Sequence, residues 1–123
     1  ALPAIEEKEE SQPTKESEGD RELEDEMAKL LLYLQQGVVL GDYAEALHIP
    51  ERKLSVFINS TYGVSFKRWV NNKRVEYATE QMAKHPDYTM ERIAELSGFA
   101  HKSHFCKIFR EITGGSFTEY KNR

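Results

Sequence analysis

The sequence predicts an all-α fold for residues 20–123: two helix-turn-helix units joined by a long linker helix, about seven helices in total. Three observations predict it. Apolar residues recur with helical spacing from Asp20 onward, strand signals do not accumulate anywhere, and the chain contains an internal repeat about fifty residues long.

In chain order, Leu23, Met27, Leu30, Leu31 and Leu34 share one helix face, and a glycine stop at Gln36-Gly37 ends the predicted helix. Gly37 to Tyr43 is the one stretch with room for brief extension. Next come Ala44-Glu45, a short turn, Leu54 with Ile58, Tyr62-Gly63-Val64-Ser65-Phe66 and Trp69. Ala94-Glu95, a turn, Phe105 with Phe109, Thr113-Gly114-Gly115-Ser116-Phe117 and Tyr120 repeat that order. The first unit spans about 38–65 and the second about 89–113. In each, a small alanine lets a second helix cross closely, and an i, i+4 apolar pair pins that helix to the body. His48-Ile49-Pro50 and Gly98 mark the two turns. Between the units, residues 66–84 form the linker helix. Phe66, Trp69, Val70, Val75, Ala78 and Met82 face the core, and Lys67, Arg68, Lys73, Glu76 and Glu80 face outward. Its length of roughly 28 Å, at 1.5 Å per residue, is comparable with the roughly 34 Å between successive major-groove faces. Pro86 ends it.

Composition excludes several classes of function. The 123 residues, 39% apolar and 31% charged, suffice for one core. A single cysteine, Cys106, rules out an internal disulfide framework and cysteine-rich zinc sites. No apolar run approaches the ~20 residues of a membrane span, so the expected location is cytoplasmic, with the full-length protein open to membrane tethering. The net charge of −4 hides an asymmetry. Residues 1–37 carry 4 Lys+Arg against 11 Asp+Glu, and residues 38–123 carry 13 against 10. Residues 1–19, rich in Glu, Lys, Ser and Pro, read as a disordered acidic linker. Because the chain opens on Ala1, the expectation is a C-terminal piece of something longer, with an upstream sensory region missing. The acidic leader also has a sharper reading, as an intramolecular competitor for the basic face.

Ile93-Ala94-Glu95-Leu96-Ser97-Gly98-Phe99, then Ser103, Phe105, Lys107, Phe109-Arg110, and Thr113-Gly114 through Tyr120, closely resemble the signature of the AraC/XylS family of bacterial transcription regulators. The resemblance covers about residues 22–123, and Arg74-Val75, Ala78 and Met82 fit the family's linker helix. It implies a DNA-binding output domain with two helix-turn-helix units. The chain departs from the pattern at Ser116-Phe117, where the family usually carries a proline, and at Val56, where arginine is common. Pro50-Glu51 also sets a carboxylate at the start of the first reading helix. Leu54 to Asn59 with Phe66, Trp69 and Asn71 is similar to a subgroup fused behind membrane-embedded or other sensory regions.

With Phe105 and Phe109 inward, Lys102, Ser103, Cys106 and Lys107 face outward as candidate base contacts. The same geometry selects Arg52, Ser55, Val56 and Asn59 in the first unit. Lysine and arginine donate to guanine acceptors, Arg52 with a planar fork, and Val56 suits a thymine methyl. Arg52 paired with Glu51 or Glu45, and Lys102 on a phosphate, are the open alternatives. Lys53, Lys67, Arg68, Lys73, His104 and Arg110 are the expected phosphate contacts.

No catalytic constellation and no cofactor motif appears, so an enzyme is not expected. His101, His104 and Cys106 do not converge on a metal, because on a helix i+5 points about 140° from i. The aromatic stripe Phe57, Tyr62, Phe66, Trp69 and Tyr77 reads as core. The expected function is sequence-specific binding of double-stranded DNA by two recognition helices in adjacent major-groove segments, with RNA polymerase as a further candidate partner. The alternative is a helical interaction module of the same fold that docks a sensor domain or RNA polymerase. Val56, Glu51 and the small positive balance favour that alternative.

Overall fold

The computed structural model describes residues 21–122, so the leader at 1–19 lies outside the described residues. The chain divides between Leu31 and Leu32 into two compact units. In the first, helix α1 covers residues 21–29 and Met27 is fully buried. The second holds α2 (Leu40–Leu47), α3 (Glu51–Tyr62), α4 (Phe66–Lys84), α5 (Met90–Leu96), α6 (Lys102–Thr113) and α7 (Phe117–Lys121). Among the described residues no strand forms, and the segment after Gly37 enters α2 at Leu40.

The structure corrects the expected single helix from Asp20 to Gln36. Regular α-helix stops at residue 29, Leu31–Leu34 form one 3-10 turn, and Leu31 is 53% exposed rather than on a buried face. The cause is competition for backbone groups. The Tyr33 N–H, which a continuing helix would donate four residues back, donates instead to the buried Tyr43 Oη at 2.9 Å. The Tyr33 carbonyl accepts from Arg74 Nε at 2.6 Å and the Gln35 carbonyl from Arg74 Nη2 at 2.9 Å. These partners lie far away in sequence, and local periodicity does not report them.

The repeat is preserved down to individual hydrogen bonds. Ile49 N–H donates to the Ala44 carbonyl and Phe99 N–H to the Ala94 carbonyl, both at 3.1 Å. His48 N–H reaches the Glu45 carbonyl and Gly98 N–H the Glu95 carbonyl, both at 3.2 Å. His48 and Gly98 therefore occupy equivalent left-handed positions, with φ of 60° and 91°. Gly63 and Gly114 close α3 and α6 in the same way. Each following helix then starts on a serine: Ser65 Oγ accepts from the Arg68 N–H, and Ser116 Oγ from the Glu119 N–H. The Glu119 carboxylate accepts the Ser116 N–H in return, so the departure at Ser116 supplies a complete capping box.

Helix α4 packs against α3 and also against α5 and α6. Its first half carries Trp69 and Val70 into a buried group with Tyr43, Ala44, Leu54, Phe57 and Ile58. Trp69 is the centre of the aromatic contacts there, edge-on to Tyr33 and Tyr43 and stacked on Phe66. Its second half carries Val75, Ala78 and Met82 into a core with Ile93, Ala94, Phe99, Phe105, Ile108, Phe109 and Phe117. One helix is thus shared by two cores. Between the halves lie two buried polar side chains, Asn71 and Arg74, each 8% exposed.

At Gly98 the left-handed conformation coincides with a close approach, because an added Cβ would lie 2.9 Å from the Tyr33 and Leu34 carbonyl oxygens and 3.0 Å from Arg74 Nε. We predict that Gly98→Ala destabilises the domain by more than about 1 kcal/mol, the backbone clash adding to the torsional strain. A urea midpoint for Gly98→Ala equal to the parent's would mean that the 33–34 segment yields freely.

Candidate nucleic-acid interface

Leu54, Phe57 and Ile58 turn inward on α3, which leaves Arg52, Lys53, Val56 and Asn59 exposed. Arg52, Val56 and Asn59 fall at i, i+4 and i+7, one stripe along the helix. Val56 is 61% exposed, an unusual position for a valine without a partner. The Asn59 amide donates to its own helix at the Ser55 carbonyl, 3.0 Å away, and Ser55 itself is half-buried. Neither Glu51 nor Glu45 pairs with Arg52. The Glu51 carboxylate instead lies against α2, where a Cβ added to Gly41 would be 2.9 Å from its Oε2. It therefore sits by the first turn of α2, whose free amides favour negative charge.

Phe105, Ile108 and Phe109 are inward on α6, and Lys102, Ser103, His104, Lys107 and Arg110 are exposed. Cys106, expected to face outward, is turned half inward. It packs against the second core with its Sγ 3.3 Å from Met90 Sδ. Lys102 bonds the Glu91 carboxylate at 3.0 Å, tying the start of α6 to α5. That bond is the main reason the Glu91 carboxyl is held below its ordinary value. Lys107 and Arg110 make no ion pair among the described residues. The His104 ring stands edge-on to Phe99.

The remaining phosphate candidates divide by what holds them. Lys53 and Lys67 are exposed and make no ion pair among the described residues. Arg68 lies 3.8 Å from Glu111, and the half-buried Lys73 lies 3.4 Å from Glu76. Surface pairs of this kind contribute about 0–1 kcal/mol and exchange readily for a phosphate. Helices α4, α5 and α7 open on Ser65, Thr89 and Ser116 caps, whereas α3 and α6 open on Pro50 and His101 with no side-chain cap. The first-turn amides of the two outward-facing helices therefore have no side-chain acceptor from the cap residue.

Arg74, placed by sequence only in the linker helix, has a role that local pattern did not assign: its donors hold the 33–35 segment while its guanidinium lies 5.5 Å from the Phe99 ring centre. Burial pulls its pKa below the ordinary arginine value, yet the group remains cationic. A signal was present: Val70, Arg74 and Ala78 follow one another at i+4 spacing along the buried stripe of α4. Among the described residues no group of His, Cys, Asp and Glu is placed to hold a metal ion, and no helix is long and apolar enough to cross a membrane.

Residues 43–123 match the family described as a helix-turn-helix domain. The regulatory protein PocR of Salmonella typhimurium is 30% identical over 105 residues, 82% of this chain and 34% of that protein. The HTH-type transcriptional regulator YijO of Escherichia coli is 30% identical over 80 residues, 65% of this chain and 28% of that protein. This chain spans about a third of the length of these curated relatives. Among solved structures, the C-terminal domain of AraT, a response regulator from Geobacillus stearothermophilus, superimposes with a TM-score of 0.71 at 25% identity, covering 84% of this chain and 83% of that one. The DNA-binding domain of AdpA, solved in complex with a target DNA, gives 0.69 at 22% identity, covering 81% and 89%, a likeness of fold.

The Lys102 bond predicts a measurable titration. Glu91 should titrate below an ordinary glutamate, and Lys102→Ala should return it upward, as read by carboxyl NMR. Because the folded value is the lowered one, the pair's stabilisation is present above the ordinary glutamate value and fades as pH falls through the lowered one. An unmoved Glu91 in Lys102→Ala would show that the bond does not persist in solution.

Proposed function

The chain belongs to the AraC/XylS family of helix-turn-helix transcription regulators, a DNA-binding and non-enzymatic class, and from that premise we propose a two-headed reader of double-stranded DNA. In this reading α3 and α6 enter adjacent major-groove segments as the output of a longer regulator, with the first unit about 38–65, the linker 66–84 and the second unit about 89–113. The observation that carries it is the repeated turn geometry. Equivalent hydrogen bonds at Ala44 and Ala94 set α3 and α6 in the same way on their partner helices, and both pack on α4.

The roles follow from exposure and pairing. Arg52 and Lys107, both exposed and without ion pairs among the described residues, are the primary base readers, donating to guanine. Val56 meets a thymine methyl, the exposed Ser103 contributes directly, and Asn59 and Lys102 contribute after leaving their present bonds. Ser55 and Cys106, half-buried, line the edge of the contact. Lys53, Lys67, Arg68, Lys73, His104 and Arg110 hold the backbone and fix the register. Engaging both segments bends the duplex, at about 1–6 kcal/mol that the second head's contacts must offset.

The second reading, an interaction module that docks a sensor domain or RNA polymerase, is favoured by one observation, the exposed Val56. Selection of duplexes from a randomised pool near physiological salt separates the two. The DNA reading expects enrichment of a site and a steep fall of affinity with salt. For the enriched site, Arg52→Ala and Lys107→Ala should each cost about 1–3 kcal/mol while random duplex loses much less. Lys53→Ala should weaken both duplexes alike. No enrichment with a flat salt response would transfer the assignment to the interaction module.

A further inference from the structure

A cavity of about 320 Å³ opens between the 37–40 segment, one face of α4 and His104 of α6. Helix α4 contributes Phe66, Lys67, Val70, Asn71 and Arg74, the spacing of a single helix face, so these side chains project toward it. Val38, Leu40, Phe66 and Val70 give apolar walls, and the exposed Lys67 and His104 stand among the lining residues. Among the described residues no Asp or Glu lines it. Its volume falls at the small end of ligand pockets, which span about 300–1,000 Å³.

Of the two buried polar side chains in this cavity, one lacks a partner and the other is only partly paired. Asn71 is 8% exposed, and its side-chain amide makes no hydrogen bond among the described residues. Buried amides without a partner are rare because losing water without a replacement bond is costly. Arg74, equally buried, donates through Nε and Nη2 to the Tyr33 and Gln35 carbonyls, while among the described residues Nη1 has no acceptor and no carboxylate offsets the charge. An unpartnered amide and a cation with one unused donor, set against apolar walls, call for an anion carrying an apolar body.

We propose that this cavity binds a small organic carboxylate with an apolar chain or ring, its carboxylate held by Asn71 and Arg74 and its body against Phe66 and Val70. A carboxylate supplies the acceptors that the Asn71 NH₂ and Arg74 Nη1 lack, and Lys67 and His104 extend the positive field around it. The site uses none of the proposed base contacts, although Lys67 and His104 at its edge are also proposed phosphate contacts.

The test uses the chain free of DNA, so its outcome is independent of the DNA-reading assignment. Hexanoate, with acetate and hexan-1-ol as controls, is titrated to millimolar concentration while the backbone and Asn71 amide resonances are followed. Hexanoate should give saturable shifts centred on Val38, Asn71 and Arg74, and both controls should bind at least about tenfold more weakly. Asn71→Leu should raise the Tm by several degrees and abolish the hexanoate shifts, and Val38→Phe, which fills the cavity from a half-buried position, should weaken them about tenfold with the fold retained. Unsaturable shifts scattered over surface lysines would overturn the proposal. So would unchanged binding in either variant, or a fall in Tm for Asn71→Leu, which would mean that the amide serves the fold.

Discussion

Arg74 sits buried at the middle of α4 with no carboxylate beside it, and its charge is held by two backbone carbonyls and an aromatic ring. Much of the second unit depends on that arrangement. The carbonyls belong to Tyr33 and Gln35, the ring to Phe99, and the close approach requires that Gly98 have no side chain. One side chain therefore connects the turn before the first helix-turn-helix, the shared helix and the turn of the second. Charge-assisted bonds of this kind are worth about 1.5–3 kcal/mol each, and breaking them would also leave the carbonyls unpaired.

Sharing α4 between two cores has a mechanical consequence. Tryptophan, tyrosine and phenylalanine rings pack its first half into one unit, and Val75, Ala78 and Met82 pack its second half into the other. Neither α3 nor α6 can shift against α4 without disturbing a close-packed group, so their positions are coupled through one rigid element. Their outward faces differ in chemistry. Along α3 runs a stripe of Arg52, Val56 and Asn59, whereas α6 offers lysine, serine and arginine with one lysine already engaged by Glu91.

The architecture was legible in the sequence because its signals are local. Helical spacing placed α4 at residues 66–84, the bounds observed, and the Ala44/Ala94 repeat located both turns. Inward and outward sides of α3 and α6 followed from the Leu54–Ile58 and Phe105–Phe109 pairs, with Ser55 and Cys106 turned further inward than that simple division allows. What local pattern could not show was decided by distant partners. The break after residue 29 arises because Tyr43 and Arg74 take the backbone groups of residues 33 and 35. The Glu51 carboxylate, which the sequence sets at the start of α3, lies against Gly41 of α2. The cavity at Asn71 belongs to the same class, since its walls come from three separate segments.

The central claim is that two reading helices on one shared helix act as a single rigid reader. The most direct measurement is affinity for the selected duplex as base pairs are inserted between its two half-elements. A rigid reader predicts a sharp optimum, with an insertion of about half a helical turn costing most of the specific affinity because the second head then faces the wrong side of the DNA. Affinity that stays flat as the spacing changes would contradict the claim, showing that the heads bind independently or that only one of them reads DNA.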